Sequence, residues 1–118
     1  VSFELLEAAR WTEFLKPGGK IIVNTQQINP MPVIIGAAEY PENLLEKMKI
    51  AGLDVDALDA LSLAEEAGSS KAVNIVLMGH LSRYFDFTEE EWLDALTPSL
   101  APKFLEMNKK AFSLGRNA

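Results

Sequence analysis

Residues 15–36, LKPGGKIIVNTQQINPMPVIIG, decide the fold class of this chain. Lys20-Ile21-Ile22-Val23 is a β-branched run of the kind that forms a strand covered on both faces. Pro17 and the Gly18-Gly19 pair precede it and read as a helix-to-strand turn. Asn24, Thr25, Gln26 and Gln27 follow at once, so the apolar run breaks into neutral hydrogen-bonding residues at its carboxyl end. Asn29-Pro30-Met31-Pro32 then reads as an extended corner leading to a second apolar run. In open α/β sheets, ligands and partners gather outside the carboxyl ends of the strands, and a site in this chain is expected there.

Upstream, residues 2–11 are already amphipathic helix, with Phe3, Leu6 and Arg10 on one side and Leu5, Ala8 and Ala9 close by, and the helix is expected to end near Leu15-Lys16. Ser2 is placed to cap it, and Glu4 and Glu7 suit its positive end. Downstream, Pro41-Glu42 reads as a helix start and Gly52 as its close. Leu53, Val55 and Ala57 alternate with Asp54 and Asp56 in the run up to Asp59, the period of a half-buried strand. A short helix over residues 61–67 and a turn at Gly68-Ser69-Ser70 follow.

Residues 71–85 are apolar nearly all round. They read as a buried helix, with a strand over residues 73–78 as the alternative. Thr88 and Glu91 form a capping box that starts a helix stopped by Pro98. A last helix runs from Pro102 to about Leu114 and ends at Gly115. Strand, helix, strand, helix is the α/β pattern, and a two- or three-stranded sheet calls for more strands from upstream residues, another chain or a swapped copy.

Composition narrows the chemistry. A length of 118 residues suits a single domain, residues 1–118, and a hydrophobic fraction of 48% supports a real core. The net charge of −6 argues against nucleic acid, whose phosphates need clustered Lys and Arg. The acids, Glu4 and Glu7 among them, read as solvated helix faces. No apolar run reaches the roughly 20 residues that span a bilayer, and no basic-then-apolar leader is visible. A cytoplasmic location is the expectation. The absence of cysteine excludes a disulfide framework, a thiol nucleophile and cysteine-held zinc or iron–sulfur clusters on these residues.

Each candidate site has a plain reading beside the chemical one. The glycines at 18 and 19 lie after a helix and before a strand, the reverse of a phosphate loop, so they read as a turn. Asn24, Thr25, Gln26 and Asn29 either satisfy backbone groups where the strand breaks or touch a ligand or neighbouring subunit. His80, the single histidine, reads as packed or surface; a catalytic role needs an orienting carboxylate that the sequence does not assign. Asp54, Asp56 and Asp59 read as solvated charges, with metal ligation as the alternative. Asn74, in an otherwise apolar helix, reads as a buried amide that must find partners and bridge to another element or subunit. No residue stands out as a catalytic acid, base or nucleophile.

At these residues the chain resembles a known family. LEAARWTEFLKPGGKIIVNTQQINPMPVIIGAAEYP, DALSLAEEAGSSKAVNIVLMGHLS, EEEWLDAL and PKFLEMNKKAFSLG, in that order, are similar to the gamma-type domain of the 2-oxoacid:ferredoxin oxidoreductases. The likeness is greatest to the beta-subunit branch of the indolepyruvate enzymes. The resemblance implies a Rossmann-like three-layer α/β/α fold with a mostly parallel sheet. This chain matches the carboxyl-terminal part, without the amino-terminal glycine-turn half. It implies an oxygen-sensitive multi-subunit enzyme that decarboxylates an aryl pyruvate, passes the acyl group to coenzyme A and sends electrons to ferredoxin. Thiamine diphosphate and iron–sulfur clusters would sit on a larger catalytic alpha subunit, and none on this chain. Two other readings stay open: a stand-alone Rossmann-like nucleotide or coenzyme A binding module, and a homo-oligomer paired through sheet edges.

Overall fold

A computed structural model describes residues 1–118 as two compact units, Val1–Leu58 and Asp59–Ala118. The first unit holds a parallel sheet of two strands, β1 (Lys20–Asn24) and β2 (Asp54–Leu58). Lys20 pairs with Asp54 and each following residue with the next, up to Asn24 with Leu58. This register puts Ile21 opposite Val55 and Val23 opposite Ala57 on one face, the alternation expected for β2. Helices α1 (Leu5–Arg10) and α3 (Leu44–Ile50) cover that face. Leu5, Ala8, Leu44 and Met48 close on Ile21 and Val23, with Leu53, Val55 and Ala57 at the margin. The chain is thus α/β with a parallel sheet, as its sequence implies.

Local geometry corrects several boundaries. Ser2 does not cap α1; it lies beside β1, donating from its amide to the Ile22 carbonyl at 2.8 Å and accepting from the Asn24 amide at 3.0 Å. Glu4 caps the helix instead, its Oε2 accepting from the Glu7 amide at 2.9 Å. A longer carboxylate there reaches the first-turn amides while Ser2 is held in the ladder. The Pro-bracketed corner is not extended: residues Met31–Ile34 form a helical turn, α2, that closes at Gly36. Pro30 and Pro32 fall at its cap and first turn, where a missing amide hydrogen costs no bond. Helix α3 begins at Leu44 rather than Pro41, because Asn43 takes a left-handed cap conformation at φ 56°. Helix α1 ends at Arg10, short of the expected end near Leu15-Lys16, and a 3-10 turn over Thr12–Phe14 follows it; Gly18, at φ 74°, is the turn-maker before β1.

The second unit is helical. Asp59 caps α4 (Ala60–Ala67) by accepting from the Ser62 amide and hydroxyl at 3.1 and 2.6 Å. These bonds, the hydroxyl's first, hold its carboxyl below the usual range. Residues 73–82 are helix, not strand: α5 (Val73–Ser82) buries Ile75, Val76 and Leu77. It packs against α7 (Leu105–Asn117), which runs on through Gly115 instead of stopping there.

The reason is contact between backbones. A Cβ on Gly115 would stand 1.9 Å from the Val76 carbonyl oxygen, and one on Gly79 would stand 2.1 Å from that of Phe112. Both glycines are therefore crossing points of α5 and α7.

Helix α6 (Glu89–Leu96) starts with the expected capping box. The Glu91 amide donates to Thr88 Oγ1 at 3.2 Å and the Thr88 amide to Glu91 Oε2 at 2.7 Å. Thr88→Ala is expected to cost about 1 kcal/mol, read as a melting temperature lowered by several degrees. An unchanged melting temperature would show that the box adds no stability.

Candidate functional site

The carboxyl end of β1 is shaped by one buried carboxylate that the sequence hides. Glu4 is 6% exposed. Its Oε1 accepts from the Ile28 amide at 3.1 Å and from the Tyr40 hydroxyl, and its Oε2 caps α1. The same Tyr40 hydroxyl accepts from the Leu6 amide at 3.0 Å. One side chain thus ties α1, the segment after β1 and the run into α3. Burial alone would raise the Glu4 pKa, but the bonds from Tyr40, Glu7 and Ile28 together outweigh it and hold the carboxyl below its ordinary value. Burial, with the adjacent Glu4 as acceptor and charge, pushes the Tyr40 phenol up to about 12.

Around this knot, the polar residues that follow the strand divide sharply. Asn24 is fully buried and donates from Nδ2 to the Phe3 carbonyl at 3.1 Å and to Gln26 Oε1 at 3.3 Å. The Thr25 amide extends the ladder to the Leu58 carbonyl at 3.0 Å, and the Gln26 carbonyl accepts from the Leu5 amide at 3.1 Å. Asn24, Thr25 and Gln26 are therefore brought together, with hydrogen bonds spent on the fold. Asn29 is exposed outside this group.

Asn74 lies in the second unit and is exposed on α5, so the buried-amide reading is wrong. The buried side of α5 is formed by Ile75, Val76, Gly79 and His80, and Asn74 falls outside it, lining a shallow groove with Ile75, Phe104 and Met107.

What the edge offers outward is apolar. Ile28, Met31, Ile34 and Ile35 are 57%, 65%, 66% and 68% exposed, four large side chains within eight residues. Isolated exposed apolar residues are ordinary, whereas a concentrated patch marks a contact surface. A groove of about 240 Å³ adjoins it, lined by Leu6, Arg10, Ile28 and Pro30 with Glu4 and Glu7. Arg10 is tied to Glu7 at 2.6 Å. The arrangement suits binding by shape and burial, and it presents no nucleophile with an adjacent base.

The other chemical candidates have structural partners. His80 is buried, with Nδ1 3.0 Å from the Gly115 carbonyl and Nε2 3.1 Å from the Arg83 guanidinium. Both ring nitrogens are thus engaged by structural partners. Asp54 pairs with Lys20 at 2.7 Å across the sheet, and Asp59 caps α4. No group of three or more His, Asp or Glu residues is placed to hold a metal ion, and no helix is long and apolar enough to cross a membrane.

Sequence reasoning missed Glu4 and Tyr40 as partners. Nothing local distinguishes Glu4 from a solvated helix-face acid, and Tyr40 lies 36 residues away.

A family model described as pyruvate ferredoxin/flavodoxin oxidoreductase matches residues 1–118. A Thermococcus kodakarensis protein named indolepyruvate oxidoreductase subunit IorB is 40% identical over 124 residues, covering all of this chain and 61% of that protein. Proteins of the same name from Pyrococcus horikoshii and Archaeoglobus fulgidus are 37% and 32% identical, covering 100% and 99% of this chain. The chain spans about three fifths of the length of these curated relatives, 61% and 60% for the latter two. No solved structure matches it significantly.

Proposed function

The chain belongs to the pyruvate ferredoxin/flavodoxin oxidoreductase family, and from that premise we propose that it is an accessory part of an indolepyruvate-type 2-oxoacid:ferredoxin oxidoreductase. In this reading it is the carboxyl-terminal part of a gamma-type domain and docks on a larger alpha subunit. The assembled enzyme decarboxylates an aryl pyruvate, forms the acyl-coenzyme A and passes electrons to ferredoxin. The observation that carries the reading is the apolar patch of Ile28, Met31, Ile34 and Ile35 at the carboxyl end of β1, in a chain whose relatives are named as subunits.

The residues present do not fit the enzyme's redox groups. There is no cysteine to bind an iron–sulfur cluster, and no acidic or histidine cluster to hold the magnesium of a diphosphate cofactor. Thiamine diphosphate and the clusters are assigned to the partner subunit. This chain's own residues act mechanically. Glu4 and Tyr40 hold residues 26–40 against α1, so the patch is presented on a fixed edge. Asn24, Thr25 and Gln26 brace that contact from within the fold, Asn29 is exposed beside it, and Asn74 is a separate contact on the second unit.

The test is activity with and without the partner. Alone, the chain should show no indolepyruvate-dependent ferredoxin reduction, while material eluted with its partner should show it. Turnover by the chain alone would contradict the assignment. A melting temperature raised by coenzyme A on the isolated chain would favour the stand-alone binding module instead. Ile34→Lys should leave the isolated chain's stability within about 0.5 kcal/mol, since the residue is exposed, yet weaken partner co-elution at least about tenfold. Wild-type co-elution of this variant would remove the patch from the interface.

A further inference from the structure

A second exposed surface, on the helical unit, has a different chemistry. The turn between α5 and α6 presents Phe85 and Phe87, 50% and 57% exposed. Both meet the Trp92 ring edge-on, at centroid separations of 5.9 and 6.3 Å. Beside them Phe87, Trp92, Ala95 and the Glu91 stem line an apolar groove of about 400 Å³. Two of these rings, Phe87 and Trp92, line the groove and Phe85 packs on Trp92 beside it, a continuous patch rather than scattered exposure.

Acidic residues outnumber basic ones around the groove, with one cation at the edge, the Arg116 guanidinium that donates to the Phe87 carbonyl at 3.3 Å. Asp86 is exposed on the turn and Glu91 lines the groove, while Glu90 and Asp94 are exposed on the adjoining face of α6. Glu91 is committed to the capping box, which leaves Asp86, Glu90 and Asp94 to set the field. On the other side of α6 lies a second groove, lined by Glu89, Glu90, Leu93, Asp94, Thr97 and Lys109. Lys109, its single cation, faces Glu106 at 4.0 Å.

We propose that α6 and the aromatic turn before it form a docking groove for a basic amphipathic helix of another polypeptide. Apolar side chains of that helix enter the groove against Phe87 and Trp92, while its Lys and Arg residues meet Glu90, Asp94 and Asp86. Charge decides the class of occupant: an acidic peptide, nucleic acid or anionic membrane would be repelled by this rim. Shape decides its form. Helix α6 has eight residues, a span of about 12 Å, which matches two to three turns of a partner helix lying alongside it. This inference does not depend on the enzyme assignment above.

Trp92 supplies the readout. Its Nε1 is buried without a hydrogen-bond acceptor, so the ring is held by packing and its emission follows changes in the groove. The full chain carrying Trp11→Phe has Trp92 as its one tryptophan. It would be titrated with a synthetic Leu/Lys amphipathic helical peptide and with a Leu/Glu peptide of identical apolar face. The Leu/Lys peptide should give a saturable shift of Trp92 emission, weakening about tenfold or more between about 50 and about 500 mM salt, and the Leu/Glu peptide none. Phe87→Ser and the pair Glu90→Lys/Asp94→Lys should each raise Kd about tenfold. Glu42→Lys/Glu46→Lys, an equal charge change on the first unit, should leave it unchanged. The proposal is overturned by equal binding of both peptides, by no binding of the Leu/Lys peptide, or by an equal loss in the Glu42/Glu46 control.

Discussion

Gly115→Ala is expected to destabilise the helical unit by about 3 kcal/mol or more, lowering its melting temperature by roughly 10 °C or beyond. On propensity alone the sign would be opposite, because alanine inside a helix is favoured over glycine by about 1 kcal/mol. Sterics decide against it. The added Cβ would lie 1.9 Å from the Val76 carbonyl oxygen and 2.8 Å from its carbon, both backbone atoms that no rotamer change can move. To reach ordinary contact, α5 and α7 must separate by more than an ångström. That opens the packing of Phe112, Leu77 and Val76, which are essentially inaccessible, and stretches the 3.0 Å contact of His80 with the Gly115 carbonyl. Gly79→Ala meets the same obstacle from the other helix, at 2.1 Å from the Phe112 oxygen. Thermal unfolding followed by circular dichroism checks both. A Gly115→Ala chain as stable as wild type would mean that the helices do not cross at these residues.

Glu4→Ala should cost the sheet unit about 3 kcal/mol, from a lost helix cap of about 1 and the rest from buried donors left without an acceptor. The Ile28 amide and the Tyr40 hydroxyl are those donors. The same knot sets pH limits. Glu4 titrates below its ordinary 4.5 in the folded chain, so its contribution is complete above that value. It is lost as the pH falls through the lower folded value. Tyr40 titrates near 12 against an ordinary 10.0, so its contribution is complete below 10.0 and is lost as the pH rises through about 12. Glu4→Gln should therefore flatten the acid side of the stability profile, and Tyr40→Phe the alkaline side. Denaturation midpoints measured across the pH range test this. Acid limbs that run parallel in wild type and Glu4→Gln would rule out Glu4 as the titrating group.

Much of this fold is readable from the sequence because its signals are local. The β-branched run at residues 20–23, the alternation from Leu53 to Ala57 and the Thr88–Glu91 box each act within a few residues, and each forms the expected element. The features that escaped depend on distant partners. Gly115 looks like a helix stop until Val76 is known to lie against it, and Glu4 looks solvated until Tyr40 is brought back onto it. Asn74 shows the converse: an amide amid apolar neighbours suggests burial, yet the buried side of α5 passes beside it. The prolines at 30 and 32 fit an extended corner and a helical first turn equally well. The amides of Val33 and Ile34, both donating to the Pro30 carbonyl, decide for the turn. Of the candidate site, the polar residues that follow β1 are legible in the sequence, whereas the apolar outward face comes from the three-dimensional exposure of residues 28–35.

The most direct measurement is the composition of what the chain binds in its own cell extract. A tagged copy captured anaerobically should bring down a larger subunit, with thiamine diphosphate and iron both present in the eluate. Capture of the chain alone, or with a partner lacking both thiamine diphosphate and iron, would contradict its place in a 2-oxoacid oxidoreductase.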